Sequence, residues 1–411
     1  MSYTNFRRRS SFSGPKRASG PTARFNGRAF GGGSSQKKKG RKKEYISPER
    51  FVKAARAVVE EQYVPQNTFS DFAIAPLIAS NIVKRGFVNP SPIQDQAIPE
   101  GLAGRDVIGI ANTGTGKTVA FGIPVLHMLI TDPAKSALIV APTRELAQQI
   151  HQELSSLSRG SGIFDAVLIG GSPMGPQFKS LSRQPSIVIG TPGRIKDHIQ
   201  RGSIKMKLYN IVVLDEVDRM LDMGFVNDMR YILGELPATR QSYFFSATMD
   251  AKVRSIIDDF SKDPVSISVK TGDTTDNVEQ GIVKVEHSSH KIDKLHDILI
   301  AEEASKVLIF DDTQRSVEKL SKTLVERGFK ADSLHGGKTQ GQRKRALDKF
   351  KENHTNVLVA TDVAARGIDV PGITHVINFS TPQSYSDYVH RIGRAGRAGK
   401  TGKALTFIEP S

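Results

Sequence analysis

Three groups of residues carry enough chemistry to name a reaction. The first is ANTGTGKT, residues 111–118. Gly114 and Gly116 let backbone N–H groups curl around a polyphosphate at a helix N-terminus. Lys117 is placed to reach the β- and γ-phosphates, and the Thr118 hydroxyl to face Mg²⁺. The second is IVVLDEVD, residues 211–218, an apolar run that ends in Asp215 and Glu216. There Asp215 can hold a magnesium ion, directly or through water, and Glu216 can polarise a water that attacks the γ-phosphorus. Acidic residues also follow strands simply because loops are solvated. The phosphate loop upstream is what turns this pair into the mark of a nucleotide hydrolase. The third group is YVHRIGRAGRAGK, residues 388–400, where Arg391, Arg394 and Arg397 recur every third position with glycines between. Glycine-rich spacing is poor helix material, so a solvated basic face is the weaker reading. Arginines set by a tight backbone suit a clamp on a γ-phosphate.

Such residues need a scaffold, and the runs around them supply one. DVIGIA (106–111), ALIVAP (137–142), AVLIGG (166–171), SIVIGTP (186–192), NIVVLDE (210–216) and SYFFSAT (242–248) are short apolar stretches closed by turn or polar residues. Continuous apolar runs predict strands buried on both faces, hence a parallel sheet covered by helices. A second series follows the polar stretch KTGDTTDN (270–277): GIVKVEH (281–287), KVLIF (306–310), NVLVAT (356–361) and HVINF (375–379). The pattern predicts an α/β chain of two doubly wound domains, 69–269 and 279–411, joined by a linker at 270–278. Lys117 and Glu216 fall in the first domain, Arg394 and Arg397 in the second. Catalysis then requires both domains to close on one ATP. Ahead of them, residues 44–68 form a lead-in. Ser47 and Pro48 supply an N-cap and a first helical residue. Phe51, Val52, Ala55, Val58 and Val59 recur at helical spacing. The expectation is a short amphipathic helix over 48–62 with its stripe docked on the first domain.

From Phe69 to about Glu409 the motifs, in order and spacing, resemble those of a DEAD-box ATP-dependent RNA helicase, a member of helicase superfamily 2. The resemblance implies two tandem RecA-like domains, ATP with Mg²⁺, and RNA as partner. GFVNPSPIQ (86–94) is similar to the family's adenine-reading segment, with Gln94 on the adenine edge and Phe69 stacked on the base. In the phosphate loop, Asn112 stands where Gln is usual and Thr115 where Ser is common. The resemblance makes Pro142, Thr143 and Arg144, then Gly171, then Thr191, Pro192, Gly193 and Arg194 contacts to the RNA backbone, which position a strand without reading sequence. It adds Gln340, Arg343 and Thr361 from the second domain, Asp369 on the ATP ribose, and Arg394 and Arg397 as γ-phosphate arginines. Asp218, Ser246, Thr248, His390 and Arg391 become the residues that couple the ATP site to domain closure. Val217 replaces the family Ala but leaves Asp215, Glu216 and Asp218 in register, and Gly337 stands where Asp is frequent.

Composition bounds the rest. The chain has 411 residues, no Cys, 58 Lys+Arg and 42 Asp+Glu, for a net charge of +16. Without Cys there is no thiolate nucleophile and no Cys-based zinc site. Residues 1–43 hold 13 of the basic residues and no acidic one, which leaves a balance of +3 for all the others. Seven Gly, abundant Ser and scattered aromatics predict a disordered basic tail. It reads as a tether for polyanions, Arg7, Arg8, Arg9, Arg17, Arg24 and Arg28 being interleaved with Phe6, Phe12, Phe25 and Phe30, or as a solubilising tail. No apolar run is long enough to span a membrane and no secretory h-region precedes the core. The expected location is cytoplasmic, with KKKGRKK (37–43) leaving a nuclear address open and the acid-free start an organellar one. The expected activity is RNA-stimulated ATP hydrolysis that unwinds or remodels short RNA duplexes and RNA–protein complexes. An ATP-gated RNA clamp or scaffold with incidental turnover is the alternative, and a DNA translocase a third reading.

Overall fold

The apolar runs fold as strands, and the glycines and polar residues behind them turn each strand into the next helix. The computed structural model describes residues 45–55, 63–112, 114–269, 276–301, 304–365, 368, 370–396 and 401–408. Seven strands build the first sheet: β1 (Val107–Ile110), β2 (Ala137–Val140), β3 (Asp165–Leu168), β4 (Ile187–Gly190), β5 (Ile211–Leu214), β6 (Gln241–Ser246) and β7 (Val265–Ser268). They lie in the order β3-β4-β2-β5-β6-β1-β7, every pair parallel. Six strands build the second: β8 (Val278–Lys284), β9 (Val307–Phe310), β10 (Ala331–Leu334), β11 (Val357–Ala360), β12 (His375–Asn378) and β13 (Gly402–Ile408). Their order is β10-β11-β9-β12-β13-β8, again parallel throughout.

A parallel sheet must be covered on both faces, and two apolar clusters flank each one. Phe121, Ile139 and Phe245 lie in one cluster of the first sheet, Leu138, Val212 and Phe244 in the other. Phe310, Leu358 and Tyr388 divide from Ile309, Val359 and Phe407 in the same way about the second. Ladder bonds continue one residue beyond several strands, which fixes the carboxyl-end loops. Ala111 N–H donates to Ser246 O (3.0 Å), Asp215 N–H to Val140 O (3.0 Å), Thr191 N–H to Leu168 O (3.0 Å) and Thr361 N–H to Leu334 O (3.2 Å). In open α/β sheets this edge is the one that binds ligands.

The lead-in departs from expectation. Over the described part of 48–62, residues 48–55, there is a single 3₁₀ turn, Pro48–Phe51, and not a helix; residues 56–62, with Val58 and Val59, lie outside the described residues. Phe51 does not dock on the first sheet. It is fully buried with Ile46, Val278 and Tyr388 against the second, its ring edge-on to Tyr388 at 4.7 Å. Burying such a ring contributes about 1.5–3 kcal/mol. Val52 is exposed, and Lys53 leaves the turn as extended backbone to pair with Gln280. One large aromatic with a slot beside β8 and Tyr388 sets the conformation of residues 48–53 against the helical preference of their spacing. The tail, residues 1–43, and most of the linker at 270–278 also lie outside the described residues. Among the described residues no helix is long and apolar enough to cross a membrane.

Candidate functional site

The phosphate loop follows β1 as its spacing requires. Gly114 (φ 85°) and Gly116 (φ 88°) adopt the left-handed conformation, which lets the loop coil and open the helix Lys117–Thr131. Lys117 is buried, its Nζ donating to Ala111 O at 3.1 Å, and Thr118 is half-buried beside it. Thr115 Oγ1 donates to Asn112 O (2.9 Å) across the loop. Gln94 braces the loop from behind: its Nε2 donates to Gly116 O (3.1 Å) and its Oε1 accepts from Ser91 N–H (2.9 Å). Each bond leaves that amide a further donor and acceptor. A side chain at Gly116 would collide with Gln94 Nε2 at 2.2 Å, so the glycine is needed for shape as well as for φ. Phe69 is buried among Phe72 and Phe87, with ring centroids at 6.0 and 6.1 Å.

Opposite the loop, β5 delivers Asp215 and Glu216, both buried. Burial pushes the Asp215 carboxyl up to about 7; Lys117 opposes that rise and Glu216 adds to it. Its Oδ1 accepts from Glu216 N–H at 3.0 Å. Glu216 sits at φ 54°, ψ 56°, a left-handed conformation that costs a non-glycine residue about 1–3 kcal/mol. Its Oε2 is buried and has no hydrogen-bond partner among the described residues. Two carboxylates held dry beside a lysine, one lacking partners, fit a group that brings positive charge and water. The Asp215 carboxylate and the Thr118 hydroxyl are donors of the oxygen type that a magnesium ion takes.

Asp218 is finished differently. Its Oδ2 accepts from Ala247 N–H (3.1 Å), Thr248 N–H (3.0 Å) and Thr248 Oγ1 (3.2 Å), and its own N–H donates to Ser246 Oγ (3.4 Å). The three coupling residues expected in the first domain are thus in contact. From the second sheet, Arg391 is fully buried, on a fork of two 2.6 Å bonds to Asp362 with further bonds to Asn378 Oδ1 (3.3 Å) and Ser380 O (2.7 Å). Arg394 is buried and donates to Ile368 O at 2.7 Å. A small cavity joins His390, Arg391 and Arg394 to Arg219 of the first half, three residues beyond Glu216. Asp369 and Arg397 lie outside the described residues.

On the other half of the first sheet edge, Thr143 caps the helix Arg144–Leu157, accepting from Leu146 N–H at 3.2 Å, and follows the buried Pro142. Arg144 packs against Gly170 and Gly171, so closely that a Cβ on Gly171 would meet its Nη1 at 2.2 Å. Burial, then the nearby Arg343, lowers the Arg144 pKa; Arg194 adds to the fall and Glu145 opposes it. Thr191 and Pro192 start the helix Pro192–Gln200 with Gly193 exposed, and Arg194 Nη1 donates to Ser172 O (3.1 Å). Thr361 follows β11 and is buried. Gln340 and Arg343 are buried as well, facing the first half rather than solvent. Arg343 Nη2 lies 2.8 Å from Glu145 Oε2, and Gln340 Nε2 donates to Gln148 Oε1 (3.0 Å). Sequence reading missed Glu145, Gln148, Arg219 and Asp362. A carboxylate in a first helical turn is ordinary there, so spacing does not flag Glu145 as an ion-pair partner almost two hundred residues away.

Comparison with known proteins agrees with this geometry. Residues 91–256 match the DEAD/DEAH box helicase family model and residues 290–399 the helicase conserved C-terminal domain. The chain is 46% identical over 344 residues to the ATP-dependent RNA helicase CshA of Listeria monocytogenes, covering 83% of this chain and 66% of the relative. It is 45% identical over 345 residues to the DEAD-box ATP-dependent RNA helicase CshA of Bacillus subtilis, covering 84% and 70%. Among solved structures, Dbp5 of S. cerevisiae bound to RNA and ADP BeF3 superposes with a TM-score of 0.74 at 28% identity, covering 84% of this chain and 90% of that one. Mss116p bound to ssRNA and AMP-PNP gives 0.76 at 28% identity, covering 84% and 76%.

Proposed function

The chain belongs to the DEAD-box family of ATP-dependent RNA helicases, and from that premise we propose how its own residues divide the work. The substrate is ATP. Lys117 and the backbone of Gly114 to Thr118 hold its phosphates, Gln94 and Phe69 its base, and Asp369 its ribose. Thr118 and Asp215 would hold Mg²⁺, which would supply charge neutralisation to the phosphates. Glu216 orients and deprotonates the attacking water. Arg394 and Arg397 offset charge that builds on the γ-phosphoryl group, as such arginines do in other nucleotide hydrolases. Asp218, through Ser246 and Thr248, with His390 and Arg391, carries the state of that site to the contact between the halves.

Pro142 to Arg144, Gly171, Thr191 to Arg194 and Thr361 bind the RNA backbone, which accounts for affinity without sequence preference, while Gln340 and Arg343, bonded to Gln148 and Glu145, tie the two halves together beside it. Closure of the halves on both ligands then bends one strand out of a short duplex or strips a bound protein, and hydrolysis resets the cleft. A cytoplasmic location goes with this reading. The single observation that carries it is the meeting of Arg219, three residues beyond Glu216, with His390, Arg391 and Arg394 in one cavity. Strand displacement tests it. The intact chain with ATP and Mg²⁺ should release a labelled strand from a short RNA duplex, and ADP should not support release. Displacement independent of nucleotide, or of DNA duplexes at the same rate, would defeat the reading.

A further inference from the structure

Residues 46–53 are used by nothing above, yet they are built into the second half with unusual care. Phe51 meets the ring of Tyr388, and the Arg50 guanidinium lies over the ring of Tyr385 at 3.6 Å. Tyr385 and Tyr388 are one turn apart on the helix Tyr385–Ile392, and Arg391 is one turn further on. Tyr388 and Arg391 are both fully buried, so a shift at one is felt at the other. The Tyr388 hydroxyl donates to Gln280 Oε1 at 2.9 Å. Gln280 in turn exchanges two backbone bonds with Lys53, at 3.1 and 2.8 Å, and the Lys53 ammonium lies 2.6 Å from Asp276. The same strand walls the arginine loop: a Cβ on Gly396 would meet Val278 at 2.9 Å and Asn277 O at 3.1 Å.

A little further along, the chain is fastened to the first half. Tyr63 Oη (2.6 Å), Gln66 N–H (2.7 Å) and Asn67, through its N–H (3.1 Å) and Nδ2 (2.7 Å), all donate to the buried Asp95 carboxylate, next to Gln94. The lead-in therefore touches the arginine helix at one end and the base-reading edge at the other.

We propose that Arg50, Phe51 and Lys53 are positioning residues for the helix Tyr385–Ile392, and through it for Arg391 in the framework and for Arg394 at the nucleotide. They touch no substrate. Arg50 and Phe51 pack on Tyr385 and Tyr388, and Lys53 holds Gln280 behind Tyr388, so that Arg391 and the arginine just past the helix arrive at a fixed place when the halves meet. This rests on the helicase reading, and it adds a requirement that lies outside every motif of the core.

The test is RNA-stimulated ATPase of the intact chain, with kcat and KM separated and melting temperature measured alongside. Phe51→Ala should lower kcat at least about tenfold, since an ångström of misplacement can cost about a hundredfold, and leave KM for ATP unchanged. Phe51→Leu, which keeps most of the apolar volume, should recover most of the rate. Lys53→Glu, at a half-exposed site, should lower kcat by a smaller factor, and adding Asp276→Lys should restore it. Variants that melt earlier but keep the parental kcat would make the segment a fold stabiliser and overturn the inference. If Phe51→Ala does not fold, the Lys53 and Asp276 pair decides alone. A parent without RNA-stimulated turnover would overturn the helicase reading instead, so the two failures are distinct.

Discussion

The acidic edge of the first sheet and the arginine helix of the second are both buried, but only one of them is satisfied. Glu216 holds a strained backbone and an Oε2 without a partner among the described residues, and Asp215 is pushed up to about 7 by burial. Arg391, by contrast, spends its guanidinium on Asp362, Asn378 and Ser380. Buried polar groups left open mark where a ligand brings the missing partners, and saturated ones mark framework. In the first half the strained Glu216 keeps an oxygen open toward the phosphate loop's side of the sheet edge, whereas in the second half Arg391 is fixed by bonds to its own domain.

Substitutions should separate the two kinds of site. The largest effect is expected at Arg394, which combines burial with a place at the cavity between the halves. Arg394→Ala should cut RNA-stimulated kcat by about 10³ or more, while ATP binding, measured by nucleotide fluorescence, stays near parental. Glu216→Gln should lower kcat by at least about 10², the range of a lost general base, and should hold the protein on RNA in the presence of ATP. Its melting temperature should not fall, because the residue is open rather than load-sharing. Arg391→Ala should behave oppositely. Removing one partner of a buried ion pair typically costs about 3–5 kcal/mol, so denaturant midpoints should drop together with activity. An Arg391 variant as stable as the parent would erase the contrast.

Two smaller effects are expected outside the site. If about five of the 13 basic residues in 1–43 lie near phosphates, the tail adds roughly −3.5 to the salt slope of single-strand binding. Deleting residues 1–43 should flatten the log–log plot of affinity against salt and leave turnover at saturating RNA intact. Parallel lines would free the tail of any RNA role. Least of all is Glu318, held down to about 2 first by the Ser333 hydroxyl and then by His335. A depressed pKa contributes stability above the ordinary carboxylate value of 4.5, and that stability is lost as pH falls from there toward 2. Glu318→Gln should therefore melt below the parent at pH 7, by a gap that narrows as the pH drops below 4.

Much of this site was legible because its chemistry is local. The glycines, Lys117 and Thr118 share one loop, Asp215 to Asp218 one strand end, and apolar runs announce strands buried on both faces. The parallel order of two sheets followed from the texture. What spacing could not reveal was pairing over distance. Arg343 reads as a nucleic-acid contact, yet its guanidinium lies on Glu145. Arg391 reads as a partner for the other half, yet its bonds are to Asp362, Asn378 and Ser380. The lead-in has a helical stripe, but Phe51 finds a slot beside Tyr388, and a tertiary contact outweighs a marginal local preference. Each difference arises where one buried partner, remote in sequence, decides the conformation.

The most direct test of the two-half account is the RNA dependence of ATP turnover by the intact chain. Single-stranded RNA should raise kcat in a saturable way, DNA of the same sequence should not, and Arg394→Ala should abolish the stimulated part while leaving any basal rate. Turnover that is equal with and without RNA, or stimulation that survives the loss of Arg394, would contradict it.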